Sequence, residues 1–187
     1  MKQPDPLILA SSSPRRRELL TQAGFRFQVH PANIDEVRAS DESPTAYVQR
    51  LALEKALAVL VQFPNATVLG ADTTVELDHH ILEKPACPED AERMLRLLSG
   101  RTHLVHTAIA AVAASAQLTH VETTTVFFSE IPPDELAHYI STGDPFDKAG
   151  AYGIQGYAAR WATRIEGDFF NVMGLPLAAT ARLLKNF

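Results

Sequence analysis

The stretch LILASSSPRRRELLTQAGF, residues 7–25, decides how the chain is read. Leu7 to Ala10 is apolar and has the length of a short buried strand. Three serines follow, then Pro14, then Arg15, Arg16 and Arg17; Glu18, Leu19, Leu20 and Ala23 continue at helical spacing to Gly24. Proline is accepted in the first turn of a helix, and glycine ends one. A strand that turns through small residues into a helix predicts an α/β fold. The same turn predicts a concave anion site, because free N–H groups and the helix dipole both favour negative charge there. Serine hydroxyls add donors, and arginine adds a fork that matches phosphate oxygens. The rival reading is serine capping beside a solvated basic face. No Walker pattern is present. Successive helical residues point about 100° apart, so at least one of the three arginines is expected in solvent.

The rest of the chain narrows the class. It has 187 residues, 46% of them hydrophobic, which suits one domain or two closely fused lobes and is long enough for a sizeable core. A formal net charge of -5 argues against a general nucleic-acid binder, since that function needs a basic field. The single cysteine, Cys87, excludes an internal disulfide and a cysteine zinc cluster. No amino-terminal run has the length of a signal peptide and none reaches a membrane span, so no membrane partner and a cytoplasmic location are expected.

Strands and helices alternate. Phe25 to Val29 reads as a strand, residues 31–42 as polar loop, and Ser43-Pro44 as the start of a helix reaching about Phe63. Thr67 to Asp72 is a strand, and Val75 to Leu82 a hairpin about Asp78-His79-His80. A helix opens at Pro88 with acids in its first turn and stops at Ser99-Gly100. His103–Ala114 and Leu118–Ser129 read as paired strands. A helix from Pro132, a Gly-rich loop over 144–156, a strand or two and a final helix complete the chain. Hairpins mixed with helical connections predict a mixed sheet.

Several residues stand out against this frame. Lys55 lies in one helical row with Val48, Leu51 and Val59; it either snorkels or aims its charge into a pocket. An unpaired lysine there would be relieved by truncation. In GADTTV, residues 70–75, Asp72 is expected at the end of a buried strand, where open α/β sheets place chemistry; a turn aspartate bonding its own backbone is the alternative. Glu36 can supply a second carboxylate, and two carboxylates with a phosphate point to Mg²⁺ or Mn²⁺. Lys84 adds a cation after the hairpin. In DKAGAYGIQG, residues 147–156, Gly150, Gly153 and Gly156 let backbone pass close to a ligand, and Gln155 can donate and accept toward a base edge. The spacing is not the dinucleotide fingerprint. His103 and His106 fall on opposite strand faces and build no metal site.

Taken in order, ASSSPRR, Glu36, Glu54-Lys55, GADT, EKP, LSGRTHLVHT, DKAGAYGIQG and NVMGLPL span nearly the whole chain. With these motifs the chain resembles the Maf-like nucleoside triphosphate pyrophosphatases. The resemblance implies an elongated mixed sheet flanked by helices around a deep nucleotide cleft, related to the inosine-triphosphatase fold. It implies hydrolysis of a nucleoside triphosphate substrate to monophosphate and pyrophosphate with a divalent metal, in a cytoplasmic homodimer. By position, Asp72 would be the general base and Glu36 would lie with it at the metal. Ser12, Arg15, Lys55 and Lys84 would hold phosphates, and Arg15, Thr73 and Gln155 would set base specificity. Thr73, Gly153 and Gln155 match the dTTP/UTP branch; the sibling that prefers 7-methyl-GTP carries Gln, Lys and Glu there. That sibling activity, and a nucleotide-binding regulator of septum formation without turnover, are the alternative readings.

Overall fold

The opening stretch folds as its signals predict: β1 (Leu7–Leu9) turns through the serines into α1 (Pro14–Gln22), with Ser13 as N-cap and Pro14 in the first turn. The computed structural model describes residue 4, residues 6–39 and residues 41–187; Ser40, in the expected polar loop, lies outside the described residues. Gly24 ends α1 in the left-handed region at φ 80, and the Phe25 N–H returns to the Leu20 carbonyl at 3.2 Å. That bond makes Phe25 part of the helix stop. The strand expected over Phe25–Val29 is therefore reduced to β2 (Gln28–Val29), and Phe25 turns into the core.

α2 (Pro44–Leu60) is capped by Ser43. β3 (Thr67–Leu77) runs without a break through residues expected to end it. Its partner β5 (Thr102–Ala113) pairs with it from Val68 to Glu76 and holds the whole length extended. Asp72 thus sits in mid-strand, not at a strand end. β4 (His80–Leu82) closes the hairpin, α3 (Pro88–Leu98) follows, and β6 (Ala116–Phe128) pairs along β5. After α4 (Pro133–Ser141) the Gly-rich segment folds into short 3-10 turns, at Asp144–Asp147, Ala149–Ala151 and Tyr157–Trp161. β7 (Ala162–Glu166) pairs with β6. A short helix that the sequence reading lacked, α5 (Phe169–Met173), precedes the last helix, α6 (Leu177–Leu184).

The sheet is mixed, in the order β2-β1-β3-β5-β6-β7, with β4 also on β3. β2–β1–β3 is parallel and the rest antiparallel. α2 covers one face through Val48, Leu51, Ala52, Ala56 and Val59. The other helices cover the opposite face, where Leu19, Leu95, Tyr139, Met173 and Leu184 share one core with Leu69, Ala71, Val75 and Leu77 of β3. β1 pairs with Thr67–Leu69 and β4 with Val75–Leu77, both on the β3 edge away from β5. Between them, residues 70–74 have no neighbouring strand on that side, and this gap opens the cleft. Among the described residues, no helix is long and apolar enough to cross a membrane.

Candidate active site

A single close approach sets the site. A Cβ on Gly70 would fall 2.2 Å from the Ala52 carbonyl oxygen and 2.9 Å from the Ala56 nitrogen, so only glycine lets α2 lie this near β3. Lys55 lies on the same turn of α2, and Asp72 is two residues beyond Gly70 on the same strand face. The result is a buried ion pair: Lys55 Nζ to Asp72 Oδ1 is 2.6 Å. Glu36, from the loop before α2, reaches the same ammonium at 2.8 Å. Lys55 therefore does not snorkel, and it is not the unpaired charge considered from sequence.

The three groups face a cavity of about 650 Å³. Its size is that of a site for a small organic ligand. Ser12, Arg15, Glu36, Lys55, Asp72, Thr73, Lys84 and Gln155 all line it. The structure thus brings together every site residue picked out in the sequence, from segments as far apart as β1 and the Gly-rich loop. Burial pushes the Asp72 carboxyl above the usual carboxylate range, and Lys55 and Arg16 pull it back only in part. Burial also pushes Glu36 upward, but the Lys55 hydrogen bond and charge outweigh it and hold the carboxyl below that range.

The serine–arginine turn divides its work. Ser13 caps α1, and Ser11 Oγ accepts from the Ser13 N–H at 3.2 Å, while Ser12 is exposed toward the cavity. Arg17 is the solvated arginine. Arg15 pairs with Asp147 at 3.0 Å at the rim. Arg16, left open by the sequence, is pinned: Nε donates to the Gly174 carbonyl at 2.8 Å and Nη1 to the Ala71 carbonyl at 2.9 Å. Nη2 donates to Thr73 Oγ1, also at 2.9 Å.

Two glycines act differently from the expectation of close approach to a ligand. A Cβ on Gly153 would fall 2.6 Å from Lys148 Cε, and one on Gly150 2.8 Å from Val75 Cγ2. They make room for the protein's own side chains. Lys148 crosses Gly153 to reach the Asp144 and Asp147 carboxylates at 2.9 and 2.7 Å. Gln155 is exposed at the cavity wall. Sequence reasoning also missed Tyr47, whose hydroxyl donates to Glu83 Oε1 at 2.5 Å inside the cavity. The spacing of Ala52 and Ala56, small residues one turn apart, is the signal that could have revealed the approach at Gly70.

The cavity has two characters. On the α2 face of β3 it is charged, with Lys55, Glu36 and Asp72 converging; on the α5 face Val105, Val172, Met173 and Ile154 supply apolar wall. Such a site can hold an anionic group at one end and a flat apolar ring at the other, with a buried base between them.

The chain has recognisable relatives among known proteins. Residues 6–187 match the family described as Maf-like protein. The dTTP/UTP pyrophosphatase of Koribacter versatilis (strain Ellin345) is 53% identical over 96% of this chain and 93% of its own length. The dTTP/UTP pyrophosphatase of Geobacillus sp. (strain WCH70) is 51% identical, over 99% and 98%. That of Vibrio parahaemolyticus serotype O3:K6 is 47% identical over the full length of both. Among solved structures, the Staphylococcus aureus Ham1 protein aligns with a TM-score of 0.48 and 16% identity, over 68% of this chain and 72% of that one.

Proposed function

We propose that this chain, which belongs to the Maf-like protein family, hydrolyses dTTP and UTP to the nucleoside monophosphate and pyrophosphate. The observation that carries the reading is the triad of Asp72, Lys55 and Glu36, closed at 2.6 and 2.8 Å inside a cavity that also holds Ser12, Arg15 and Lys84. Relatives that cover nearly the whole chain bear the same activity in their names.

The chemistry follows from the residues. Water attacks the α-phosphorus, the bond from that phosphorus to the α–β bridging oxygen breaks, and pyrophosphate leaves. Asp72 takes the proton of the attacking water; a carboxyl pushed upward by burial is a better base than an exposed one. Lys55, Lys84 and Arg15 spread positive charge over the phosphate oxygens and the departing pyrophosphate. Thr73 and Gln155 face the base.

A divalent metal fits this donor set. Among the described residues no group of three or more His, Cys, Asp or Glu is arranged around one point. Glu36 and Asp72 nevertheless converge on a single cation, the Lys55 ammonium. Mg²⁺ and Mn²⁺ are held in this way by one or two carboxylates, with water and substrate phosphates completing the shell. When bound, the metal neutralises phosphate charge and lowers the pKa of a bound water. The homodimer and the cytoplasmic location implied by the resemblance remain part of the proposal.

A panel of nucleoside triphosphates, scored for pyrophosphate against orthophosphate, tests the reading. Pyrophosphate release from dTTP and UTP that chelation abolishes is expected. Stepwise release of orthophosphate overturns the assignment of attack to the α-phosphorus.

A further inference from the structure

Asn171, the first residue of the motif NVMGLPL, has no role in the chemistry above. In the structure Asn171 is fully buried on α5. Its Nδ2 donates to the Val105 carbonyl and to Thr124 Oγ1, each at 2.9 Å, which fixes it against the sheet. Its main-chain carbonyl accepts from the Thr107 hydroxyl at 2.8 Å. Thr107 is also fully buried, and its Oγ1 lies 2.9 Å from Thr73 Oγ1.

A hydroxyl has one proton and two lone pairs. A carbonyl cannot donate, so the Thr107 proton is committed to Asn171. In the pair of threonines, Thr73 must therefore be the donor. Arg16 Nη2 donates to Thr73 Oγ1 and occupies one of its lone pairs. One lone pair is left, on a side chain that lines the cavity.

We propose that Asn171 and Thr107 fix the Thr73 hydroxyl as a hydrogen-bond acceptor toward the cavity, and so select a base with a ring N–H over one with a bare ring nitrogen. The inference rests on the nucleotide reading given above. Asn171 and Thr107 are positioning residues; Thr73 is the group that meets the base. Uracil and thymine present N3–H between two carbonyls, whereas cytosine presents a bare N3. Toward Thr73, the first makes a hydrogen bond and the second sets lone pair against lone pair.

The backbone supports the same assignment. The Leu69 carbonyl accepts from the Ala10 N–H, and the Ala71 carbonyl from Arg16, both on the edge of β3 away from β5. Main-chain groups alternate with period two in an antiparallel pair, so those of Thr73 point the same way, into the gap between β1 and β4. Thr73 and Thr107 are then a non-hydrogen-bonded pair, the arrangement that brings opposed side chains closest. Arg16 has five N–H groups; Gly174, Ala71, Ser11 and Thr73 take four. The fifth remains beside the Thr73 acceptor, as a donor for the neighbouring base carbonyl.

The test is the ratio of kcat/KM for UTP and CTP in Thr107→Val, Thr107→Ser and the parent. Valine keeps the shape but frees the Thr73 proton, which can then be donated to cytosine N3. The ratio should fall at least tenfold in Thr107→Val and return in Thr107→Ser. Thr73→Val is the second variant; it should lower UTP turnover more than CTP turnover, so that the ratio falls there too. If both substrates fall by one factor in Thr107→Val and in Thr73→Val, the hydroxyls are structural and the inference is wrong. A parent that releases no pyrophosphate from UTP overturns the functional reading and the inference with it. A parent that does so with an unmoved ratio in the variants overturns the inference alone.

Discussion

Lys55→Met tests whether the buried ion pair organises the site. Methionine keeps the volume and removes the ammonium, leaving Asp72, 6% exposed, without its 2.6 Å partner. Breaking a buried pair from one side is costly because a charge is left in a poor solvent. Asp72 has an escape, which is to take a proton, and this sets a ceiling on its share of the loss; Glu36, the other partner of Lys55, is partly solvated and adds less. For an ordinary carboxyl of pKa 3.8, staying protonated at pH 7 costs 3.2 pH units at about 1.36 kcal/mol each, about 4 kcal/mol in all. At pH 5 the same ceiling is about 1.6 kcal/mol. Arg16 still neighbours Asp72, so the expected loss is about 2–3 kcal/mol at pH 7, shrinking below about 1 kcal/mol at pH 5. Denaturant unfolding of parent and variant at both pH values measures it. Adding Asp72→Asn should recover most of the loss at pH 7. A variant as stable as the parent at pH 7, or a loss independent of pH, refutes the reasoning.

Three further outcomes are expected. Asp72→Asn should keep the fold and lose about two to four decades of turnover, the span of a lost general base; in the parent, the acid limb of kcat/KM should lie above the usual carboxylate range, since burial raises Asp72. His103 is pushed down to about 4 by burial, from 6.5. As pH falls below 6.5 the unfolded chain gains a proton that the folded chain refuses until about 4, so His103 costs stability across that window. The cost is about 2 kcal/mol at pH 5, and unfolding of His103→Phe at pH 7 and pH 5 should show a correspondingly flatter dependence. Gly70→Ala should cost about 3 kcal/mol or more and most of the activity, because the new Cβ meets backbone at 2.2 Å and pushes Lys55 away from Asp72; an unchanged thermal midpoint would show that α2 can shift freely.

Signals carried by neighbouring residues were legible in the sequence. Ser13-Pro14, Ser43-Pro44 and Gly24 mark helix ends because capping and φ are local matters. Long runs rich in Val, Thr and Ala located β5 and β6 to within a few residues. The site residues themselves were legible through the ordered motifs, and all of them reach one cavity. What stayed hidden depends on partners distant in the chain. Arg16 is anchored by Ala71, 55 residues away, and by Gly174, 158 residues away, so nothing in SPRRR distinguishes it from Arg15. Lys55 acquires its partners only once α2 is docked over Gly70. The end of β3 was misplaced for the same reason: the length of β5, not any residue near Asp72, keeps that strand extended.

The gap between β1 and β4 has a consequence for solubility. A strand edge with unclaimed main-chain groups invites pairing with any extended chain, and soluble proteins blunt such edges with charge, proline or brevity. Residues 70–74 of β3 form an edge of this kind, on which Arg16 claims the Ala71 carbonyl, and it lies at the floor of a cleft walled by α1, the loop bearing Glu36 and the segment from Asp144 to Gly156. A small ligand can enter that space, whereas another β-strand would need a flat approach that the walls deny. Recessing the edge lets the protein keep it open for recognition without exposing a seed for aggregation.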